Sequence, residues 1–154
     1  MTATTDTPGV IAPPPLLYAG ALAAALVVHW VWPLRILDTM TPWLGLVVLA
    51  FGLAIAIAGR RAMRAAATNV NPYRPSTAIV SSGPFRFTRN PLYVGLTLLY
   101  VGLTLAFNTW WGLILLPAIL VVMHFGVVLR EERYLEMKFG ERYRQYRSTV
   151  RRYF

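Results

Sequence analysis

The chain contains no cysteine, which excludes disulfide bonds, thiolate nucleophiles and cysteine-based zinc sites. It is also poor in charge, since only 14% of its 154 residues are charged and only six of them are Asp or Glu. This composition is too apolar for a soluble domain with a polar shell. Too little chain lies outside the apolar segments to form a separate soluble domain. Any active site is therefore expected between helices or in the connecting loops.

Hydrophobic residues make up 56% of the sequence, and the mean hydropathy is +0.51. They are concentrated in four segments, residues 16–37, 43–58, 92–107 and 110–129. Each segment is near or slightly below the roughly 20 residues that a membrane-spanning helix needs. The sequence therefore predicts an all-α, polytopic membrane protein with about four transmembrane helices in a single domain, residues 16–154. Residues 1–15, rich in Thr, Pro and Ala, are predicted to be a disordered lead-in.

Positive charge lies almost entirely in two segments. Residues 59–90 hold six arginines and no acidic residue, and residues 130–154 hold eight of the other nine basic residues. Two predicted spans separate these segments, so both are expected on the same side of the membrane. By the positive-inside rule that side is the cytosol, which places both termini and the 59–90 loop there. Orientation in the membrane accounts for the net charge of +9, so no nucleic-acid partner is expected.

Two polar segments carry distinctive patterns. Residues 83–95 read GPFRFTRNPLYVG and enter the third predicted span, while residues 131–146 read EERYLEMKFGERYRQY and follow the fourth. Four residues of the second segment fall at helical spacing on one face: Leu135, Phe139, Tyr143 and Tyr146. This spacing predicts an amphipathic C-terminal helix, with Gly140 as a point of interruption. The loop before the third span is longer than connection alone requires, which indicates that a site is built there.

Together these two segments resemble the integral membrane methyltransferases of the isoprenylcysteine carboxyl methyltransferase and phospholipid N-methyltransferase group. That group pairs a Gly-Pro-aromatic-Arg motif, which continues to His-Pro or Asn-Pro and then Tyr-x-Gly, with a Glu-Glu motif after the last span. The resemblance covers about residues 68–152, roughly half of the chain. Asn90 stands where the eukaryotic isoprenylcysteine enzymes usually have His. This difference counts against that exact substrate and against a proton-transfer role at position 90.

The resemblance implies that S-adenosylmethionine binds between the loop and the C-terminal segment, and that a lipophilic or prenylated substrate enters from the bilayer. The cofactor carries a sulfonium, an ammonium, a carboxylate and ribose hydroxyls, so its site needs both carboxylates and a cation. The predicted cofactor-binding residues are Arg86, Arg89, Asn90, Pro91, Tyr93, Gly95, Glu131, Glu132, Tyr143 and Tyr146. No metal is predicted. The Rossmann glycine fingerprint, on which soluble methyltransferases usually rely, is absent.

Most of these residues have a structural alternative. Asn90 and Pro91 fit an N-cap and a first-turn proline at the start of the third span. The remaining loop residues divide into two that suit interfacial anchoring, Arg86 and Arg89, and two that suit helix packing, Tyr93 and Gly95. Capping and anchoring are both compatible with binding a ligand, because a helix N-terminus offers free backbone donors to an anion.

Helical spacing separates the two glutamates. Glu131 is predicted as the inward-pointing carboxylate, because it lies one turn before Leu135 on the apolar face. Glu132 lies off that face. For both glutamates the alternative is surface neutralisation by Arg130 and Arg133.

His124 is predicted two helical turns before Glu131 on the same face, inside the fourth span, where an ionisable residue indicates function. The catalytic candidates are Glu131, His124 and Arg89. The resemblance favours a prenylcysteine-type carboxylate as the methyl acceptor, which is already ionised and needs no base. A phospholipid amine or a thiol must lose a proton, and His124 or Glu131 is then the candidate base.

Two other functions remain open on the sequence. A non-catalytic membrane scaffold that binds anionic lipids or a partner explains the arginines but not the glutamate pair at its spacing. A membrane reductase with a nicotinamide cofactor is the second, since some sterol reductases share this C-terminal helical architecture. The sequence identifies neither the acceptor nor the oligomeric state.

Overall fold

The computed structural model describes residues 6–36 and 39–153, and within these ranges the chain is all-α with no strand. The main helices are α1 (Pro14–Val31), α2 (Thr41–Ala65), α3 (Pro91–Ala106), α4 (Trp110–Met123), α5 (Leu129–Phe139) and α6 (Glu141–Thr149). A short 3₁₀ turn, Gly83–Arg86, precedes α3, and a π-helical turn, His124–Val128, joins α4 to α5. The predicted fold class is confirmed.

Among the described residues, three helices are long and apolar enough to cross a membrane: Pro14–Val31, Thr41–Ala65 and Trp110–Phe139. The fourth predicted span is α3, an apolar helix of 16 residues. The first helix ends earlier than expected, because Pro33 disfavours the helical conformation of the residue before it. The second and fourth extend past their predicted ends by one to three turns, because the polar residues that follow the apolar segments remain helical.

Helices α2 and α3 form a closely packed antiparallel pair. Glycines recur every seven residues on α2, at positions 45, 52 and 59, and α3 presents glycines at 95 and 102. A Cβ atom added to Gly52 would lie 2.9 Å from the backbone N of Leu99, and one added to Gly102 would lie 2.6 Å from that of Leu49. The contacts run from Gly59 beside Leu92 to Gly45 beside Ala106, so α3 runs alongside residues 45–59 of α2.

The π-helical turn changes the register of the long fourth helix. A π turn contains an extra residue, which rotates the residues that follow by roughly 100° relative to an uninterrupted α-helix. The sequence predicted His124 and Glu131 on one face of the helix. Because of the π turn, their seven-residue spacing does not put them on one face. The backbone N–H of Ile11 donates to the carbonyl of Gly126 within this turn, at 3.2 Å.

Residues 6–13 lie along the outside of this same helix. Arg130 donates to the carbonyl of Gly9 at 2.8 Å, and Val10 is buried in the core with Tyr18 and Met123. Helix α1 then begins at Pro14, within the stretch predicted to be disordered. Residues 1–5 lie outside the described part of the chain, so for them disorder stays a prediction.

The predicted amphipathic C-terminal element is two helices. Helix α5 ends at Phe139, and Gly140 has a φ of +53°, a conformation that favours glycine and turns the chain into α6. Tyr143 of α6 is buried, with 2% of its surface exposed. Residues 150–153, here called the closing segment, leave α6 and run back toward the start of α3.

Candidate functional site

A cavity lies where the two sequence motifs meet, and we call it the motif cavity. Its volume is about 110 Å³, not counting the space at its open mouth. Eight of the ten predicted cofactor-binding residues line it: Arg89, Asn90, Pro91, Tyr93, Glu131, Glu132, Tyr143 and Tyr146. The fold thus brings together residues from α3, α5 and α6 that are up to 57 positions apart in the chain.

Glu132 is the centre of a buried ion cluster. Its carboxylate is 2.9 Å from Nη2 of Arg89, and Arg152 donates to both of its oxygens, at 3.0 and 2.8 Å. The side chains of Arg89 and Glu132 are each 7% exposed. The alternative of surface neutralisation by Arg130 and Arg133 is therefore wrong for Glu132, whose partners come from other elements.

Glu131 also faces the motif cavity, one position from Glu132. The hydroxyl of Tyr93 donates a hydrogen bond of 2.6 Å to Oε1 of Glu131. Glu131 is thus the carboxylate with a neutral partner and Glu132 the one with two cations. Both glutamates line the cavity, which the sequence left undecided.

Asn90 occupies the N-cap position of α3, but its side chain does not cap the helix. Its Nδ2 instead donates to the carbonyl of Arg152 at 3.1 Å. Pro91 follows in the first turn, as predicted. The asparagine therefore joins the start of α3 to the closing segment, and its motif position has a role that helix capping does not explain.

Two tyrosines of α6 form another wall of the motif cavity. Burial raises the pKa of Tyr146 to about 12, and burial together with the nearby Glu132 carboxylate raises the pKa of Tyr143 further. Both phenols therefore stay protonated at neutral pH. The hydroxyl of Tyr146 donates to the carbonyl of Phe85 at 2.8 Å, which attaches α6 to the 3₁₀ turn.

The structure does not bring Arg86 and Gly95 into this cavity. Arg86 is exposed at the end of the 3₁₀ turn. Gly95 is buried against α2, where an added Cβ would lie 3.0 Å from the carbonyl O of Gly52. The structural alternatives therefore describe the positions of these two residues: Arg86 lies at an exposed position suited to the interface, and Gly95 packs helix against helix.

A second cavity opens among the helices, and we call it the apolar cavity. Its volume is about 490 Å³, within the range of small-molecule sites, and its lining is mainly aliphatic and aromatic. The polar side chains among its lining residues are Tyr18, Tyr93, Thr97, His124 and Tyr153. His124 thus lines this second cavity, apart from the other catalytic candidates. Tyr93 lines both cavities, so its ring forms part of the wall between them.

Several residues that line the two cavities were not predicted as site residues from the sequence. The loop after α2 contributes residues 68–72, 76 and 78–80 to the motif cavity, and Tyr134 and Leu135 contribute from α5. Loop length was the only signal for the first group. Arg152 and Tyr153 belong to no recognised motif, and their positions depend on where the closing segment folds back.

Comparison with known proteins agrees with this architecture. The model of the phospholipid methyltransferase family matches residues 40–142, which is more than half of the chain. An uncharacterized protein of Haemophilus influenzae is 50% identical over 44 residues, 29% of this chain. The chain spans 65% of the length of that curated relative. No solved structure matches.

The apolar helices and the family match together indicate a multi-pass membrane protein. The chain belongs to the phospholipid methyltransferase family.

Proposed function

We propose that this protein transfers a methyl group from S-adenosylmethionine to a lipophilic acceptor held within the membrane. The observation that carries the proposal is the shared wall at Tyr93, because a charged, open cavity and an apolar one meet at this residue. Methyl transfer from a polar cofactor to a membrane-soluble acceptor needs two such compartments in contact.

The residues of the motif cavity fit the proposed cofactor. Glu131 and Glu132 supply carboxylates for its cations and hydroxyls, and Arg89 supplies a cation for its carboxylate. Nε of Arg89 is buried and has no hydrogen-bond partner among the described residues. A buried donor without a partner is costly, so its presence in this wall supports a ligand there. When bound, S-adenosylmethionine supplies a methyl group whose bond to the sulfonium sulfur breaks as the acceptor's lone pair attacks.

The chain contributes mainly position and exclusion of water. The Tyr93 hydroxyl, held by Glu131, fixes the wall between the cavities, and the ion cluster of Glu132 holds α3, α5 and the closing segment in one geometry. Orienting two reactants in this way lowers the entropic part of a barrier, and an apolar compartment keeps water from the acceptor.

The lining of the apolar cavity supports one class of methyl acceptor over another. The resemblance to isoprenylcysteine enzymes favours a carboxylate, but the lining residues among those described include no Lys or Arg to hold an anion. They do include His124, whose neutral imidazole has one acceptor nitrogen. The lining therefore favours an amine or thiol that loses its proton to His124, and a prenylcysteine-type carboxylate is the second candidate.

A labelled-methyl assay tests this proposal. Purified protein is incubated with labelled S-adenosylmethionine and either total membrane lipids or small prenyl thioether acids, and the labelled product is extracted and identified. Incorporation into a lipid amine or thiol is expected. Incorporation into the acid instead would assign the carboxylate, and no incorporation into any lipid would contradict the proposal.

Calorimetry in detergent separates methyl transfer from its two rivals. We expect S-adenosylmethionine to bind, with an affinity that falls in Glu131→Ala and not in the exposed control Glu141→Ala. Absence of binding would favour a scaffold whose basic face binds anionic lipids. Binding of NADPH in place of S-adenosylmethionine would favour a membrane reductase.

A further inference from the structure

The closing segment, residues 150–153, is attached to both motifs by its backbone and by one side chain. The backbone N–H of Arg89 donates to the carbonyl of Arg151 at 2.9 Å. The carbonyl of Arg152 accepts from Oγ1 of Thr88 at 2.9 Å and from Asn90. The Arg152 guanidinium also binds Glu132. The closing segment is therefore held by contacts with the loop before α3, with the N-cap of α3 and with α5.

This attachment delivers Tyr153 into the apolar cavity. Its hydroxyl is 2.9 Å from Nδ1 of His124, and the two rings have centroids 6.1 Å apart. His124 is the first residue of the π-helical turn, and such turns occur frequently at functional sites. A residue that lies 29 positions away in sequence thus shares a hydrogen bond with the ionisable group of the cavity.

The other polar groups of the apolar cavity are already paired within the protein. Tyr18 and Thr97 share a hydrogen bond of 2.7 Å, and Thr97 also donates to the carbonyl of Tyr93 at 2.9 Å. Tyr93 in turn donates to Glu131. For His124, no hydrogen bond within residues 6–36 and 39–153 involves Nε2. The pair of His124 and Tyr153 therefore retains one free donor, whereas the hydroxyl protons of the other polar side chains of this lining are all used.

We propose that Tyr153 is a specificity-determining residue, which together with His124 binds the polar head group of the lipophilic acceptor. The inference rests on the proposed function and deepens it. A lipid that enters an apolar cavity carries a polar end, and that end loses water and needs a hydrogen-bond partner. The histidine and tyrosine provide a partner for an uncharged N–H or S–H head group. The closing segment thereby connects acceptor binding to the ion cluster of the motif cavity.

Nuclear magnetic resonance of the histidine rings tests this inference without turnover. The chain has two histidines, so ring-labelled protein gives two sets of signals, and a His29→Gln variant assigns them. The probes are farnesyl thiol, whose head group is an uncharged S–H, and a farnesyl thioether acid, each titrated into protein in detergent micelles. Tyr153→Phe removes the hydroxyl and keeps the ring, while Tyr73→Phe, at an exposed loop position, is the matched control.

We expect at least one probe to shift the His124 signals in a saturable way. Tyr153→Phe is expected to weaken that apparent affinity roughly three- to tenfold, the effect of one hydrogen bond, and Tyr73→Phe to leave it unchanged. Calorimetric affinity for S-adenosylmethionine is expected to stay within about twofold in both variants, because their substitutions lie outside the motif cavity. Equal probe affinity in the wild type and Tyr153→Phe, or no shift with either probe, would overturn the inference.

The same measurements distinguish this inference from the function on which it rests. If the lipid shift depends on Tyr153 but the wild type does not bind S-adenosylmethionine, methyl transfer is contradicted and Tyr153 remains a lipid-binding residue. If the cofactor binds but the shift does not depend on Tyr153, the proposed function stands and the role of Tyr153 is wrong.

Discussion

Tyr93 donates a hydrogen bond of 2.6 Å to Glu131, and the tyrosine ring lines both cavities. The residue therefore connects the helix that opens with the first motif to the helix that carries the second. Its hydroxyl holds the carboxylate in place, and its ring separates the charged compartment from the apolar one. Few other contacts in the molecule join both motifs and both cavities.

Tyr93→Phe should reduce methyl transfer more than it reduces stability. The variant keeps the ring but leaves the Glu131 carboxylate without its donor, and a loss of about 1–3 kcal/mol from the transition state lowers the rate roughly 5- to 160-fold. The check is the initial rate of labelled-methyl transfer, with the melting temperature measured on the same samples. Tyr73→Phe is the control. A rate equal to that of the wild type would contradict a role for this hydrogen bond.

Glu132→Ala should destabilise the protein strongly. Its removal leaves the buried Arg89 without its counter-ion and releases Arg152, and breaking a buried ion pair costs roughly 3–5 kcal/mol. Thermal unfolding in detergent measures the loss. Glu141→Ala removes a glutamate that pairs with Arg144 at the surface, so little change is expected there. Similar melting temperatures for the two variants would show that the cluster does not hold the fold.

The fold was predictable because hydropathy is read directly from sequence. The four apolar segments correspond to helices, and the start of α3 at Pro91 agrees with the predicted Asn90–Pro91 boundary to within one residue. The helix ends were less predictable, because a polar continuation such as that of α2 stays helical without an apolar pattern. Hydropathy indicates the length of the apolar part of a helix and not the length of the whole helix.

The candidate site was predictable only where a motif marked it. Most motif residues meet in one cavity. Arg152 and Tyr153 are held in place by long-range contacts, which no local sequence pattern predicts. The separation of His124 from Glu131 was missed for a different reason. It depends on one extra residue in a π turn, and a period of 3.6 residues assumes that no such turn is present.

Gly102→Leu should prevent the close approach of α2 and α3. Even a Cβ atom at this position would lie 2.6 Å from a backbone nitrogen of α2, which has no flexible side chain to move aside. Gly20→Leu is the matched control, because no atom lies within 4 Å of a Cβ placed there. Detergent-solubilised yield and melting temperature should fall for the first variant only. Equal behaviour of the two would contradict glycine-mediated packing of this helix pair.

Tyr134→Phe should loosen two surface segments together. The Tyr134 hydroxyl accepts from the backbone N–H of Ser76 at 3.1 Å and donates to Oδ1 of Asp6 at 2.9 Å. One substitution therefore removes a hydrogen bond of α5 to each of two segments, residues 6–9 and the loop after α2, while the ion pair of Lys138 with Asp6 at 2.6 Å remains. Hydrogen exchange should quicken in both segments and remain unchanged in α3. Faster exchange in one segment alone would show that the other is held independently of this hydroxyl.

The predicted orientation can be tested cleanly because the chain has no native cysteine. Single cysteines are introduced at three exposed positions, Thr39, Ser81 and Ser148. The positive-inside rule places the last two on the cytosolic side, while Thr39, in the connection between α1 and α2, is expected on the other side.

A membrane-impermeant maleimide should therefore label Thr39→Cys in intact cells, and should label Ser81→Cys and Ser148→Cys only after the membrane is opened. Labelling of Ser81→Cys and Ser148→Cys on opposite sides would contradict two crossings between the motifs, and with them the meeting of α3 and α5 at one cavity. The reverse pattern at all three positions would retain the fold and invert the membrane orientation. In that case the arginines of α2 would lie on the non-cytosolic side, and the motif cavity would open away from the cytosolic supply of S-adenosylmethionine.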